Sequence, residues 1–401
     1  MNSRGSPEQA AEMTMVPGFE PLGGKHCWTT ALKNVLDYHG LHCSEEMLFG
    51  LGGGAGFIYW YMKLMPAPFI GTRYGKGTEP LLATCRRLGA EAALFETGSA
   101  DRGHAELKKQ LRGGQPALVF VDMAYLPYMA LPEIAHFGAH TVVVFGLNEA
   151  EKIVHLADRA QKPFTIDVEA LRKARSSPFP PFAPKNKMLT IKCPKRMADL
   201  KDGIRQSLAE CCSNMLHPPI RNMGLAGMQK WANLAPKWPQ QFKGMDLVGC
   251  LFNTFLYIEL AGTGGSAFRN MFATFLEEAA AILGKPALAE LADAFRASAK
   301  VWSDIARAAL PDSWPALKRM RELCVEKNRI FEEQKPGALS KMHAINRDLG
   351  EVMAGAAAAL TEKDSASLLC DLKQKILQCH AIEKEAFERL ASIIQERRGV
   401  S

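Results

Sequence analysis

The chain has 401 residues, 47% of them apolar, and carries 49 Lys and Arg against 42 Asp and Glu for a net charge of +7. That length suits two domains, and the apolar content supplies two cores, which excludes global disorder. The charge is too mild to imply a nucleic-acid binder, and the densest basic stretch (Lys185, Lys187, Lys192, Lys195, Arg196) lacks interleaved aromatics and reads as a solvated linker face.

The first residues, Met1 to Glu8, hold no apolar run of the kind a secretory signal needs. The most apolar later stretch, Leu247 to Ile258, is too short to span a bilayer and contains Asn253. Ten cysteines are present without a CxxC pair or a framework spacing. With no export signal, most of these thiols are expected to be small buried groups in a reducing cytoplasm.

Residues 1–16 are expected to be a flexible terminus. Gly23 and Gly24 then make a turn before Cys27, where a helix is predicted to start. Trp28, Ala31, Leu32, Val35 and Leu36 share one face of it, and Gly40 is placed to stop it. Gly50 to Gly56 partly fits a dinucleotide loop, but follows a helix rather than a strand, so it is read as a flexible loop near a cleft.

From about residue 90 the period shortens. Strands are predicted at 91–96, 116–122, 140–146, 153–158 and 187–193. The segment 176–184, with four prolines in nine residues, is predicted to be irregular. Beyond about residue 195 the pattern is helical, over roughly 197–216, 219–235, 246–262, 266–284, 287–309, 313–334, 338–360 and 363–397. The last helix carries Leu369, Leu372, Ile376, Cys379, Phe387, Leu390 and Ile394 on one stripe. The expected fold is α+β, an N-terminal domain over 17–195 and a mostly α-helical domain over 196–401.

Three residues form a candidate catalytic constellation. Cys27 opens a helix, where the helix dipole lowers a thiol pKa and backbone N–H groups are placed to hold an oxyanion. His140 opens a β-branched strand, and Asp158 closes the next one across a hairpin. In an antiparallel pair these two ends lie side by side, so Asp158 is placed to orient His140. Each residue alone has a bland reading: a packed thiol, a satisfied polar group, a turn former. Order and placement together, Cys then His then Asp, match a papain-like arrangement. His136 and His140 are four apart but lack the neighbouring Glu of a zinc-protease helix, so no metal is expected and His136 is read as a substrate-side group. Asp122, Tyr125 and Tyr128 are candidates to line the cleft, against the alternative that Tyr125 and Tyr128 only pack a loop.

The stretch Gly24-Lys-His-Cys27-Trp-Thr-Thr-Ala-Leu-Lys-Asn34, with Ser44-Glu-Glu46 and Phe49-Gly-Leu-Gly52, resembles the N-terminal domain of the butirosin biosynthesis protein H family. Asp122 to Tyr128, His136-Phe-Gly-Ala-His140 and Asp158-Arg159 extend the resemblance over about the first 195 residues. The remainder resembles the helical C-terminal domain commonly fused to it, most visibly from Glu259 to Arg269, then at Phe272 and at Phe275-Leu276.

The resemblance implies a papain-like cysteine acyltransferase. The family's namesake moves an aminoacyl group from the phosphopantetheine arm of an acyl-carrier protein to an amine of an aminoglycoside. By that likeness Cys27 is the nucleophile, His140 the base and Asp158 the orienting acid. The donor is a carrier-protein or other thioester, and the acceptor a small amine. No cofactor beyond the donor's phosphopantetheine is expected, and no nucleic acid or membrane span. Related peptidases place a Gln about six residues before the Cys to complete the oxyanion hole; here Pro21 stands there. The basic 185–196 stretch has reception of an acidic carrier protein as its weaker alternative reading. The helical domain is expected to cover the cleft and exclude water. Glu259, Phe268 and Arg269 are candidates for acceptor recognition, against a helix turn held by a structural ion pair. The rival functions are a hydrolase using the same residues and an inactive carrier-protein binding module. The oligomeric state is open, a homodimer among the options.

Overall fold

The computed structural model describes residues 13–62, 65, 67–73 and 77–395. In chain order the elements begin with β1 (Thr14–Met15), α1 (Cys27–Tyr38), α2 (Glu45–Leu51), β2 (Ile58–Trp60), β3 (Phe69–Gly71), α3 (Glu79–Leu88), β4 (Glu91–Phe95) and α4 (Ala100–Arg112). Next come β5 (Ala117–Val121), β6 (His140–Asn148), β7 (Ile153–Ala157), β8 (Phe164–Asp167), α5 (Val168–Ser176) and β9 (Met188–Lys192). The chain ends in α6 (Leu200–Leu216), α7 (Gly224–Leu234), α8 (Trp238–Gln241), α9 (Met245–Glu259), α10 (Arg269–Leu283), α11 (Pro286–Ala309), α12 (Pro315–Glu333), α13 (Ala338–Ala359) and α14 (Glu362–Gln395). The protein is mixed α/β, with an antiparallel sheet in the N-terminal part and a helical C-terminal region. Among the described residues no helix is long and apolar enough to cross a membrane.

Two compact units form. The first takes the residues up to His42 and Ala92–Cys193; the second takes Cys43–Glu91 and everything from Pro194 onward. The single cut expected at 195 therefore misplaces residues 43–91, which join the helices. The reason is aromatic packing. Phe49 stacks on Phe268 at 4.9 Å, and Phe57 stacks on Trp231 at 5.7 Å. The expected flexible loop at 50–56 is also corrected: Gly50, Leu51, Gly52 and Gly54 to Gly56 are buried within the second unit. Gly50 is required there, because a Cβ at that position would lie 2.1 Å from the Phe275 ring.

The first unit is built on a sheet of order β4-β9-β5-β6-β7-β8. Every residue of β5 and β6 is buried, which is what unbroken apolar, β-branched runs predict for strands covered on both faces. β5 and β6 pair antiparallel, with Val121 opposite His140 and Ala117 opposite Val144. β6 outruns β5, and β1 takes up the rest of that edge through Thr14–Leu147 and Met15–Gly146. The flexible terminus expected over 1–16 thus stops short: residues 14 and 15 are strand, and 1–12 lie outside the described residues. Helix α1 packs on β5 and β6, its Trp28 edge against Phe120 at 5.9 Å. Gly40, at φ +73°, ends it in the left-handed region where glycine is at no cost.

In the second unit, Phe57, Trp231 and Trp302 form one aromatic cluster and Phe272, Phe295 and Phe387 another. The apolar stripe expected on the last helix is the face it buries, from Leu369 through Leu372, Ile376, Cys379 and Phe387 to Leu390.

Candidate active site

The loop before α1 is fixed by the helix it precedes. Asn34, buried on α1, accepts from the Leu22 amide at 2.8 Å and donates to the Leu22 carbonyl at 2.9 Å. Two residues on, the Gly24 amide donates to the Arg159 carbonyl at 2.8 Å, and the Gln161 side chain lies against Gly23. The turn is thus pinned between α1 and the segment that follows Asp158, and it delivers Cys27 as the first residue of the helix. The Trp28 indole donates to the Ala139 carbonyl at 2.8 Å, which docks the helix start beside the first residue of β6.

β6 and β7 are antiparallel neighbours, so His140 at the start of one sits beside Asp158 just past the end of the other. His140 Nε2 lies 2.8 Å from Asp158 Oδ2. The same carboxylate oxygen accepts from the Tyr128 hydroxyl at 2.9 Å, and Oδ1 accepts from the Arg159 amide at 2.7 Å. The Cys27 sulfur is hydrogen-bonded to the His140 side chain and receives the Thr141 backbone N–H. With Nε2 committed to the carboxylate, Nδ1 is the ring nitrogen left for the thiol. His140 and Asp158 are buried, whereas Cys27 remains partly accessible.

Charge follows this geometry. Burial would push the Cys27 thiol up, but the charge and hydrogen bond of His140, aided by the Thr141 amide, outweigh it and the thiol pKa falls below its ordinary value. Burial would depress His140, yet Asp158 and Cys27 raise it to about 10. Burial likewise opposes ionisation of Asp158, and His140 and Arg159 overcome it, lowering its pKa. All three directions agree on a thiolate facing an imidazolium anchored by a carboxylate. Such a pair can attack an electrophilic carbonyl, with the amide end of α1 beside the point where the oxyanion would form.

The remaining expected residues distribute differently. Asp122 is 1% exposed; it accepts from His136 Nδ1 at 2.8 Å, the Ser177 hydroxyl at 2.6 Å, and the Phe137 and Ala124 amides. His136 stacks on Phe179 and faces Tyr125 at 5.6 Å. The Tyr128 hydroxyl donates to Asp158, and its ring stacks on Phe164 at 3.9 Å. Glu259 and Arg269 belong to the other unit. Arg269 is wholly buried, its guanidinium paired in a fork with Glu383 at 2.7 and 2.9 Å and donating to the Gly56, Thr72 and Ala267 carbonyls. Glu259 accepts from the Ser303 hydroxyl at 2.6 Å and from the Ser266 amide, holding the turn at Ser266 to Phe268. The structural reading of this segment prevails, because every polar atom of the Arg269 head is already used. Among the described residues no group of three or more His, Cys, Asp and Glu is placed to hold a metal ion.

Asn34, Trp28, Thr141, Ser177 and Gln161 were not legible as site residues. Their contacts span 12 to 138 positions in sequence, and only Asn34, a polar residue on the apolar face of α1, left a local trace.

Fold and site together define a mixed α/β protein whose helix-start cysteine is hydrogen-bonded to an aspartate-anchored histidine. Residues 26–159 match the family described as butirosin biosynthesis protein H, N-terminal, and residues 169–323 match the domain of unknown function DUF4872. The two matched segments follow one another in the order the resemblance led one to expect, the helical family behind the butirosin biosynthesis protein H N-terminal one. The first match opens one residue before Cys27 and closes one after Asp158. The second begins inside α5, earlier than the expected domain boundary at 196. Comparison with the curated proteins finds no match.

Proposed function

We propose that the protein is a cysteine acyltransferase with a papain-like arrangement, moving an acyl or aminoacyl group from a thioester to an amine in secondary-metabolite biosynthesis. One observation carries this reading: Cys27, His140 and Asp158 stand in hydrogen-bonded line, with the thiol pKa lowered and the histidine raised to about 10. The family match over 26–159 supports an enzyme of biosynthesis.

The Cys27 thiolate attacks the thioester carbonyl, and the oxyanion forms at the amide end of α1. The tetrahedral species collapses with loss of the donor thiolate, which takes the proton of His140. The acyl group is then on Cys27 and His140 is neutral. An amine attacks, His140 takes a proton from it, the C–S bond breaks, and the thiolate–imidazolium pair returns. Exchange between thioesters is close to neutral in energy, and amide formation is downhill. A phosphopantetheine arm on an acyl-carrier protein is the donor this chemistry suits, and no cofactor of the protein's own is called for.

The test is intact-protein mass spectrometry after incubation with a panel of acyl thioesters, beside Cys27→Ala. An acyl mass on the wild type alone, discharged faster by amine than by water, supports transfer. Discharge by water alone makes the protein a hydrolase. No adduct from any donor sinks the covalent mechanism and leaves a binding module.

A further inference from the structure

A second histidine–carboxylate pair stands at the same end of the sheet. Asp122 directly follows Val121, which pairs with His140, and His136 lies four residues before His140. Trp28, next to Cys27, bonds the Ala139 carbonyl in that same turn. The buried Asp122 carboxylate accepts four hydrogen bonds, from His136 Nδ1, Ser177 Oγ, and the Phe137 and Ala124 amides. A carboxylate oxygen so placed accepts from His136 Nδ1–H, which leaves Nε2 as the ring nitrogen that can exchange a proton. Among the described residues Nε2 has no hydrogen-bond partner, and the side chain is 16% exposed.

The ring is held from both sides. Phe179 stacks on it with 3.4 Å between centroids and 9° between planes, and Tyr125 faces it. Phe179 and Phe182 are themselves exposed, on a Pro-rich loop from 177 to 184 that carries no titratable residue. On α5, Arg175 donates to the Gly103 and Asn186 carbonyls and Arg172 pairs with Asp101 and Glu169. Tyr128 is committed to Asp158, and Glu133 is exposed.

Resting on the acyltransfer reading, we infer that His136, oriented by Asp122, is the base that deprotonates the incoming ammonium of the acceptor. The need follows from proton balance. An aliphatic amine with a pKa near that of lysine is neutral in on the order of one molecule in a thousand at pH 7. The acceptor therefore arrives with one proton more than His140 alone can remove. His136 Nε2 takes the first, leaving a neutral amine. That amine attacks the Cys27 acyl carbon, His140 takes the second proton, the C–S bond breaks, and the Cys27 thiolate and His140 imidazolium are restored. His136 then returns its proton to solvent. The aromatic walls beside it favour an amine borne on an apolar or ring-containing body.

The test separates the half-reactions in the full chain. Acyl-Cys27 is formed from an acyl N-acetylcysteamine thioester, and its discharge by phenethylamine is timed by intact mass between pH 6.5 and 10, for wild type, His136→Gln and Asp122→Asn. Acylation within about twofold of wild type is expected. Discharge by amine should fall about 100-fold at pH 7, the scale of a lost general base, and the deficit should close as pH approaches the amine's own pKa. Asp122→Asn retains Oδ1 for the loop amides, so the loop is kept while the base is weakened. A deficit equal at every pH, no deficit, or parallel loss of acylation overturns the inference while the acyltransfer reading stands. A wild type that forms no acyl-enzyme overturns both.

Discussion

At Cys27 two opposing effects of similar kind meet, and the structure shows which wins. Burial pushes up the thiols of six other cysteines: Cys193, Cys211, Cys212, Cys250, Cys324 and Cys379. At none of those six does a histidine charge oppose it, whereas at Cys27 the His140 charge reverses it. Iodoacetamide at pH 6.5 should therefore alkylate Cys27 at least about tenfold faster than any of those six, since the thiolate is the reactive form. His140→Ala should abolish the preference, because burial is then opposed by the Thr141 amide alone; peptide mapping after timed alkylation reads both. The pH window has two edges. The lowered thiol contributes fully above its unfolded value near 9 and loses its contribution as pH falls through the folded one. The raised histidine contributes fully below 6.5 and loses its contribution as pH rises through about 10. Reactivity toward an acyl thioester should accordingly form a plateau that starts below pH 9 and declines near 10. A profile rising only at about 9 would mean an unactivated thiol.

Among the elements, those with a strong period were legible and those without one were not. α1 shows its apolar face every three or four residues, β5 is an unbroken apolar run and β6 is apolar from Val142 to Phe145, so the order of α1, β6 and β7 already implied the Cys–His–Asp placement. α4 and α5 escaped because each buries only three residues, Gly103, Leu107 and Leu111 on one and Leu171, Ala174 and Arg175 on the other. So few core contacts leave almost no periodic signal. α2 is a short helix whose glycine misled: Gly50 reads as loop but is a contact point. Replacing it by alanine tests this. Alanine inside a helix gains about 0.5–1 kcal/mol over glycine. The added Cβ, however, would sit 2.1–2.3 Å from three atoms of the Phe275 ring, which has no room to move in a packed core. Overpacking of this kind costs about 1–3 kcal/mol, so Gly50→Ala should destabilise despite the better helix propensity. Urea denaturation measures the sign.

At the scale of the whole molecule, the chain leaves the first unit after His42 and returns at Ala92, so the second unit is made of two separate stretches. Arg269 ties them together: it reaches the Gly56 and Thr72 carbonyls of the inserted stretch and Glu383 on α14. Glu383 in turn accepts from Ser298 Oγ and Trp302 Nε1, both at 2.7 Å. Burial raises the cost of ionising Glu383, and Arg269 more than offsets it, so its pKa is lowered. Removing one partner leaves a buried charge alone, at a cost of about 3–5 kcal/mol. Arg269→Ala should therefore destabilise strongly, and the paired change Arg269→Met with Glu383→Leu should recover part of the loss. Chemical denaturation of both variants checks the ordering, and equal stability of the single variant and wild type would refute the hub.

The sequence by itself determined the order of the helices from α6 to α14 apart from the short α8, the buried strands of the sheet and the placement of Cys27, His140 and Asp158 at a helix start and two strand ends, because periodicity and strand adjacency are local properties of the chain. It did not determine which unit owns residues 43–91, that Arg269 is a core ion pair, or that His136 and Asp122 form a dyad of their own. Those outcomes depend on partners 14 to 213 positions away, such as Asp122 for His136 and Gly56 for Arg269. Only tertiary folding brings such groups within hydrogen-bond range, and the burial it imposes is what makes each pairing obligatory.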